Sequence, residues 1–217
     1  MERMEKLHNI KGLYAITPDE RNLSILKSKV ESSIKGGAKL VQYRSKILSK
    51  NDQKQQAEEI KKICNYYKIP LIINDDIELC SILDADGVHL GENDGNLEKA
   101  RLILGPAKIV GVSCYNLIDR VQISQDMGAT YIALGACFHS ATKPNAPIAS
   151  VDLIASVLKD FQVPLVAIGG ITLENIDLII NEGVECCAVI NSLFKSRDIE
   201  GTAKLFSSLL EKRNYDR

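Results

Sequence analysis

Pro70-Leu71-Ile72-Ile73-Asn74 is a short run of branched aliphatic residues that opens on a proline and closes on a polar residue. Its apolar residues are contiguous, not alternating with polar ones, which is how a strand covered on both faces reads. A proline is tolerated at the start of a strand, where the missing N–H costs least. The same pattern recurs on both sides of it. Gly12–Thr17 and Lys39–Arg44 precede it; Asp86–Leu90, Lys108–Ser113, Thr130–Gly135, Pro164–Gly169 and Cys186–Asn191 follow. Between these runs the period changes to that of a helix. Residues 51–67 bring Ala57, Ile60, Cys64 and Tyr67 to one face, and residues 150–161 do so with Ile154, Val157, Leu158 and Phe161. Ala203, Phe206, Leu209 and Leu210 repeat the pattern near the C-terminus, and Gly36-Gly37 stops the first helix. The segments after the third and fourth strands are shorter and signal helices less strongly.

Eight strands alternating with helices, without a linker, in 217 residues predict an α/β fold: a single-domain (β/α)8 TIM barrel near its minimum size, with residues 1–11 as an N-terminal extension. A doubly wound sheet fits less well, because no glycine-rich phosphate fingerprint follows the first strand.

Composition narrows the function. Hydrophobic residues make up 45% and charged residues 25%, as in an average globular protein. With 27 basic and 28 acidic residues the net charge is −1, which excludes nucleic-acid binding by bulk charge. No apolar stretch is long enough for a membrane span. The opening Met1-Glu2-Arg3-Met4-Glu5-Lys6 lacks the pattern of a signal peptide. The six cysteines sit mostly in apolar runs without a C-x-x-C pair, as reduced core residues would. A cytoplasmic protein is expected, working on small molecules rather than nucleic acid or membrane, with homo-oligomers left open.

A barrel carries its chemistry where the strands end. The second strand ends in Gln42-Tyr43-Arg44-Ser45-Lys46, the third in Asn74-Asp75-Asp76, and the fourth runs through His89 to Asp94. The fifth ends at Ser113, and the sixth is followed by His139-Ser140-Ala141-Thr142-Lys143. Arg44, Lys46 and Lys143 are cations; Asp75 and Asp94 are hard oxygen donors suited to Mg²⁺. That combination suits a polyphosphate. Gly169-Gly170 and the turn after the last strand form a second group, the usual barrel site for a phosphate monoester. Plainer readings exist: Asn74-Asp75-Asp76 also reads as a helix N-cap with first-turn acids, and His89 as a core or supporting histidine. The placement of all these groups at the same end of successive strands favours a site. The rim therefore suggests two anions, a diphosphate with Mg²⁺ and a monophosphate, as a transferase joining two phosphorylated molecules would need.

Leu13-Tyr14-Ala15-Ile16-Thr17, Val41-Gln42-Tyr43-Arg44-Ser45-Lys46, Ile73-Asn74-Asp75, Asp86-Gly87-Val88-His89-Leu90-Gly91 with Asp94, Gly111-Val112-Ser113, Ala133-Leu134-Gly135 with Thr142-Lys143, and Ala167-Ile168-Gly169-Gly170-Ile171 follow one another in an order that resembles the thiamine phosphate synthase family. That family joins a hydroxymethylpyrimidine diphosphate to a thiazole phosphate and releases pyrophosphate. The resemblance implies that Gln42, Arg44, Lys46, Asn74, Ser113 and Lys143 hold the pyrimidine diphosphate, within a substrate-binding rim that includes Tyr43 and Ser45. It implies that Asp75 and Asp94 hold Mg²⁺. Ser140, Thr142, Gly169, Gly170 and the Ile190-Asn191 turn would hold the thiazole phosphate. Arg44, Lys46, Ser113 and Lys143 are the residues expected to act on the leaving group. The chain departs from the family where Leu-Arg-Glu-Lys becomes Tyr43-Arg44-Ser45-Lys46, where an Arg becomes Asp76, and where a Ser becomes Asn191. Two other readings remain: a thiazole tautomerase, for which His139 speaks, and a non-catalytic sensor of a phosphorylated ligand.

Overall fold

The computed structural model, described over residues 10–91, 96–139 and 147–212, closes eight parallel strands into a barrel in chain order. They are β1 (Gly12–Ile16), β2 (Leu40–Tyr43), β3 (Leu71–Asn74), β4 (Gly87–Leu90), β5 (Ile109–Tyr115), β6 (Tyr131–Leu134), β7 (Leu165–Ile168) and β8 (Cys186–Val189). β8 returns to pair with β1, so no strand edge is left open. The helices are α1 (Leu23–Lys35), α2 (Lys50–Tyr67), α3 (Ile77–Ile82), α4 (Leu97–Leu104), α5 (Ile118–Asp126), α6 (Val151–Asp160), α7 (Asp177–Ile180), α8 (Asn191–Phe194) and α9 (Ile199–Lys212). The segments after β3 and β4, where the helical signal was weak, do form helices, of 6 and 8 residues.

The strands read as continuous apolar runs because both of their faces are buried, in two different cores. Tyr14, Ile16, Leu40, Ile72, Ile109, Tyr131, Val166 and Cys186 point into the barrel. Their alternates, including Leu13, Val41, Tyr43, Ile73, Val88, Val110, Ile132 and Cys187, meet the helices outside. Gly111 makes room inside. It is the register partner of Tyr131, and a Cβ there would lie 2.1 Å from that ring's Cζ.

Local signals fix the helices onto this frame. Asn22, Ser49, Asp76, Asn96 and Ser150 each accept the backbone N–H three residues on and cap a helix N-terminus. α1 ends at Gly36, as expected. Pro70 and Pro164 stand just before β3 and β7, and their carbonyls still accept from Val41 (3.1 Å) and Ile132 (2.9 Å). α9 packs against α1 and β1, where Ser207 Oγ donates to Gly36 O (3.2 Å).

The six cysteines are free and buried. Burial pushes the thiols of Cys64 and Cys80 up to about 12 and that of Cys137 to about 11, away from the reactive thiolate. No helix among the described residues is long and apolar enough to cross a membrane.

Candidate active site

The inward-facing residues continue upward past the apolar floor and become polar at the C-terminal ends of the strands. On β2 the inward series runs Leu40, Gln42, Arg44; on β3, Ile72, Asn74; on β5, Ile109, Gly111, Ser113. At that end a cavity of about 420 Å³ opens, lined by Gln42, Arg44, Lys46, Asn74, Asp75, Ser113, Gly169, Gly170, Ile190 and Asn191. That volume lies within the range of small-molecule sites. All ten were expected at the site. Asp94, Ser140, Thr142 and Lys143 lie outside the described residues.

Two expected residues do not line this cavity. Strand alternation turns Tyr43 outward, next to the inward Gln42, and its hydroxyl donates to Gln56 Oε1 on α2 (3.0 Å). Its side chain belongs to the outer core, where burial pushes its pKa upward. Ser45 lies beyond the strand and faces the neighbouring groove between α2 and α3.

Several polar side chains at the rim are held by others. Thr17 and Asp19, at the end of β1, clamp the segment after β2. Thr17 Oγ1 accepts from the Arg44 amide (2.8 Å) and donates to the Arg44 carbonyl (3.0 Å). Asp19 accepts from Arg44 Nη1 (3.2 Å) and from the Lys46 amide (2.7 Å). Arg44 is thereby aimed while its own side chain is only 17% exposed. These two clamping residues were missed, although they obey the same rule of polar residues at strand ends.

Asp75 has φ 66°, the left-handed region, which is uncommon for a residue other than glycine. Its amide donates to His89 O across to β4 (2.8 Å), which holds that turn. Its Oδ2 accepts from Lys46 Nζ (2.6 Å) and Asn74 Nδ2 (2.5 Å). Among the described residues it is the only acid lining the cavity, and no group of three or more His, Cys, Asp and Glu able to hold a metal gathers here or elsewhere. One or two carboxylates suffice for Mg²⁺ that completes its shell with water and substrate phosphate. Asp75 fits that ion by its donor chemistry; Asp94, its expected companion, lies outside the described residues.

Asp76 plays the helix-capping role. It accepts from the Leu79 amide (2.8 Å) and from Lys50 Nζ (2.7 Å). Burial opposes its ionisation, but Lys50 and the Leu79 amide together hold its carboxyl below the ordinary value. A depressed carboxyl stabilises the fold above its unfolded pKa and loses that contribution as pH falls through the folded value. Asp76→Ala should therefore cost about 0.5–2 kcal/mol at pH 7, with the gap from wild type closing as the medium is acidified. Urea unfolding of both proteins between pH 7 and pH 3 checks this; a gap that widens in acid contradicts it.

The far side of the cavity is built by β7 and β8. Gly169 and Gly170 have φ of 96° and 68°. A Cβ on Gly170 would come within 2.5 Å of Phe138 O, so the backbone of the loop after β6 presses directly on this turn. Asn175 Nδ2 donates to Gly170 O (2.9 Å) within the loop after β7, and Ser192 Oγ donates to Ile171 O (2.5 Å), joining that loop to the one after β8. Thr172, Ser192 and Lys195 line the cavity here as well. Lys195 is a cation that strand-end reading overlooked because it lies past the short helix α8.

His89 of β4 lines the cavity with both ring nitrogens engaged. Its Nδ1 meets Tyr131 Oη (3.0 Å) and its Nε2 meets Ser113 Oγ (2.9 Å), with its ring stacked on Tyr131. Arg120 of α5 braces the strand ends behind it, donating to Ser113 O (2.6 Å) and Gly91 O (3.1 Å). His139 lines the cavity mouth and is exposed.

Cations and a carboxylate on one side of the mouth, with a glycine turn and a lysine on the other, make this a TIM barrel whose strand-end cavity suits anionic small molecules. Residues 13–193 match the family described as thiamine monophosphate synthase, and the chain belongs to that family. It is 48% identical over 200 residues to the thiamine-phosphate synthase of Methylobacillus flagellatus, covering 92% of this chain and 95% of that one. It is 43% identical over 206 residues to that of Nitrosospira multiformis, covering 95% and 88%. Among solved structures, the thiamine phosphate pyrophosphorylase from Pyrococcus furiosus superposes with a TM-score of 0.86 at 26% identity, covering 95% of this chain and 98% of that one.

Proposed function

We propose that the protein is a thiamine-phosphate synthase. It condenses a hydroxymethylpyrimidine diphosphate with a thiazole phosphate, giving thiamine phosphate and pyrophosphate. The observation that carries this reading is the pairing of two anion-handling groups in one cavity. Arg44, Lys46, Asn74, Asp75 and Ser113 stand on one side, and Gly169, Gly170, Asn191 and Lys195 on the other.

In the reaction the bond between the pyrimidine methylene and the diphosphate oxygen breaks, and its electron pair leaves with the diphosphate. The thiazole nitrogen then donates its pair to the methylene carbon. The pyrimidine's amino group feeds electrons into the developing cation, so no protein nucleophile is required. The protein's work is to orient the two halves and to stabilise charge that appears on the leaving group. Arg44 offers a forked donor to diphosphate oxygens, Lys46 a point charge, and Asn74 and Ser113 neutral donors. Lys143 is assigned to the same task from its place in the sequence. Mg²⁺ on Asp75 and Asp94, when bound, supplies further neutralisation of the leaving diphosphate. Gly169, Gly170, Ile190 and Asn191 serve the thiazole phosphate, together with Ser140 and Thr142.

The test is to mix both phosphorylated halves with the protein, with and without Mg²⁺. Equal amounts of thiamine phosphate and pyrophosphate, formed only with the metal, support the reading. A protein that isomerises the thiazole phosphate alone and leaves the diphosphate untouched overturns it. In that case Arg44, Lys46 and Asp75 would have no task.

A further inference from the structure

Beneath the cavity an unbroken line of hydrogen bonds crosses the barrel. Gln42 Nε2 donates to Tyr14 Oη (2.9 Å), Tyr14 Oη meets Tyr131 Oη (2.9 Å), Tyr131 Oη meets His89 Nδ1 (3.0 Å), and His89 Nε2 meets Ser113 Oγ (2.9 Å). The two phenols are buried within the barrel. We infer that this line is a one-way chain in which Tyr14, Tyr131 and His89 are positioning residues that fix Ser113 as a donor toward the departing diphosphate. The inference rests on the synthase reading given above.

The direction follows from counting protons. A phenol carries one. Tyr14 accepts from Gln42, so its own proton goes to Tyr131, its remaining partner among the described residues. Tyr131 must then send its proton to His89 Nδ1. A ring that accepts at Nδ1 and is neutral carries its proton on Nε2, where it donates to Ser113 Oγ. The hydroxyl proton of Ser113 is left for the cavity. Run in reverse, the chain would have Ser113 donate to His89 and turn only lone pairs toward an anion. An anionic ligand therefore selects the forward direction. Burial raises the pKa of both phenols and keeps them protonated, as the chain requires. The barrel is shaped for it: Gly111 leaves the space that the Tyr131 ring occupies, and the rings of Tyr14 and Tyr131 meet edge to face.

A double-mutant cycle separates this role from simple packing. Tyr131→Phe removes one oxygen and should lower kcat by about 10- to 100-fold, the scale of losing a supporting hydrogen bond, with KM little changed. In a Ser113→Ala background the same change should cost less than about 3-fold, because its effect passes through the missing hydroxyl. Equal losses in both backgrounds overturn the inference. A second readout needs no turnover. In ¹⁵N spectra of the wild-type protein with inorganic pyrophosphate and Mg²⁺, His89 should be the Nε2–H tautomer; an Nδ1–H tautomer overturns the chain. This measurement decides the matter even where Tyr131→Phe folds poorly. A wild-type protein without synthase activity would overturn the functional reading instead, leaving the tautomer to judge the chain.

Discussion

Asp75→Asn should lower kcat by about a thousandfold, or about 4 kcal/mol of transition-state stabilisation. Asparagine has the same shape and can still accept from Lys46 and from Asn74. It also tolerates the left-handed backbone that Asp75 adopts with φ 66°. What it removes is the negative charge facing the cavity, and with it the hard ligand that suits Mg²⁺. The Lys46–Asp75 pair is partly exposed, the lysine side chain at 52%, so its loss should move stability by no more than about 1 kcal/mol. Steady-state rates across a Mg²⁺ series, paired with thermal unfolding, check both halves. Wild-type turnover in the variant removes Asp75 from the metal site. A collapse of the unfolding midpoint shows instead that its role is structural.

Arg44→Ala should lower kcat/KM by about 10²- to 10³-fold, the loss expected for one donor that stabilises developing charge. The arrangement around it is why the loss is expected in activity and not in the fold. Thr17 grips its backbone, Asp19 takes one side-chain nitrogen, and the guanidinium reaches the cavity. Arg44→Lys should recover only part of the activity, since the forked geometry is lost while the charge is kept. If the whole effect falls on KM with kcat intact, Arg44 binds the ground state and the transition state equally. Full recovery by lysine would show that charge alone matters.

The fold was legible because the cues agree. Contiguous aliphatic runs such as Leu71–Ile73 signal strands buried on both faces, and Gly36 and the two strand-start prolines mark boundaries. The lining of the candidate cavity was legible because polar residues that recur at one end of successive strands are costly to explain by packing. Tyr43 failed for a reason that the sequence did contain: it follows the inward Gln42, and a period of two turns it outward. Asn74-Asp75-Asp76 carried two meanings at once. Asp75 faces the cavity and Asp76 caps α3, and one tripeptide does not say which acid does which.

Other residues left no local trace. Tyr14 and Tyr131 lie in apolar runs and look like core aromatics; only the closed barrel brings their hydroxyls within 2.9 Å across 117 residues of chain. Lys50 sits at the start of a polar helix face, and only the fold shows it meeting Asp76. Such contacts depend on strand closure and register, which no window of sequence encodes.

Under the synthase proposal, the cationic rim beside Asp75 receives the diphosphate. Crystals soaked with the pyrimidine diphosphate and Mn²⁺, examined by anomalous scattering, test it most directly. A metal peak is expected on the Asp75 carboxylate, with diphosphate oxygens in hydrogen-bond reach of Arg44, Asn74 and Ser113. A diphosphate seated in the groove between α2 and α3, or against Gly169-Gly170 with Asp75 bare, would contradict it.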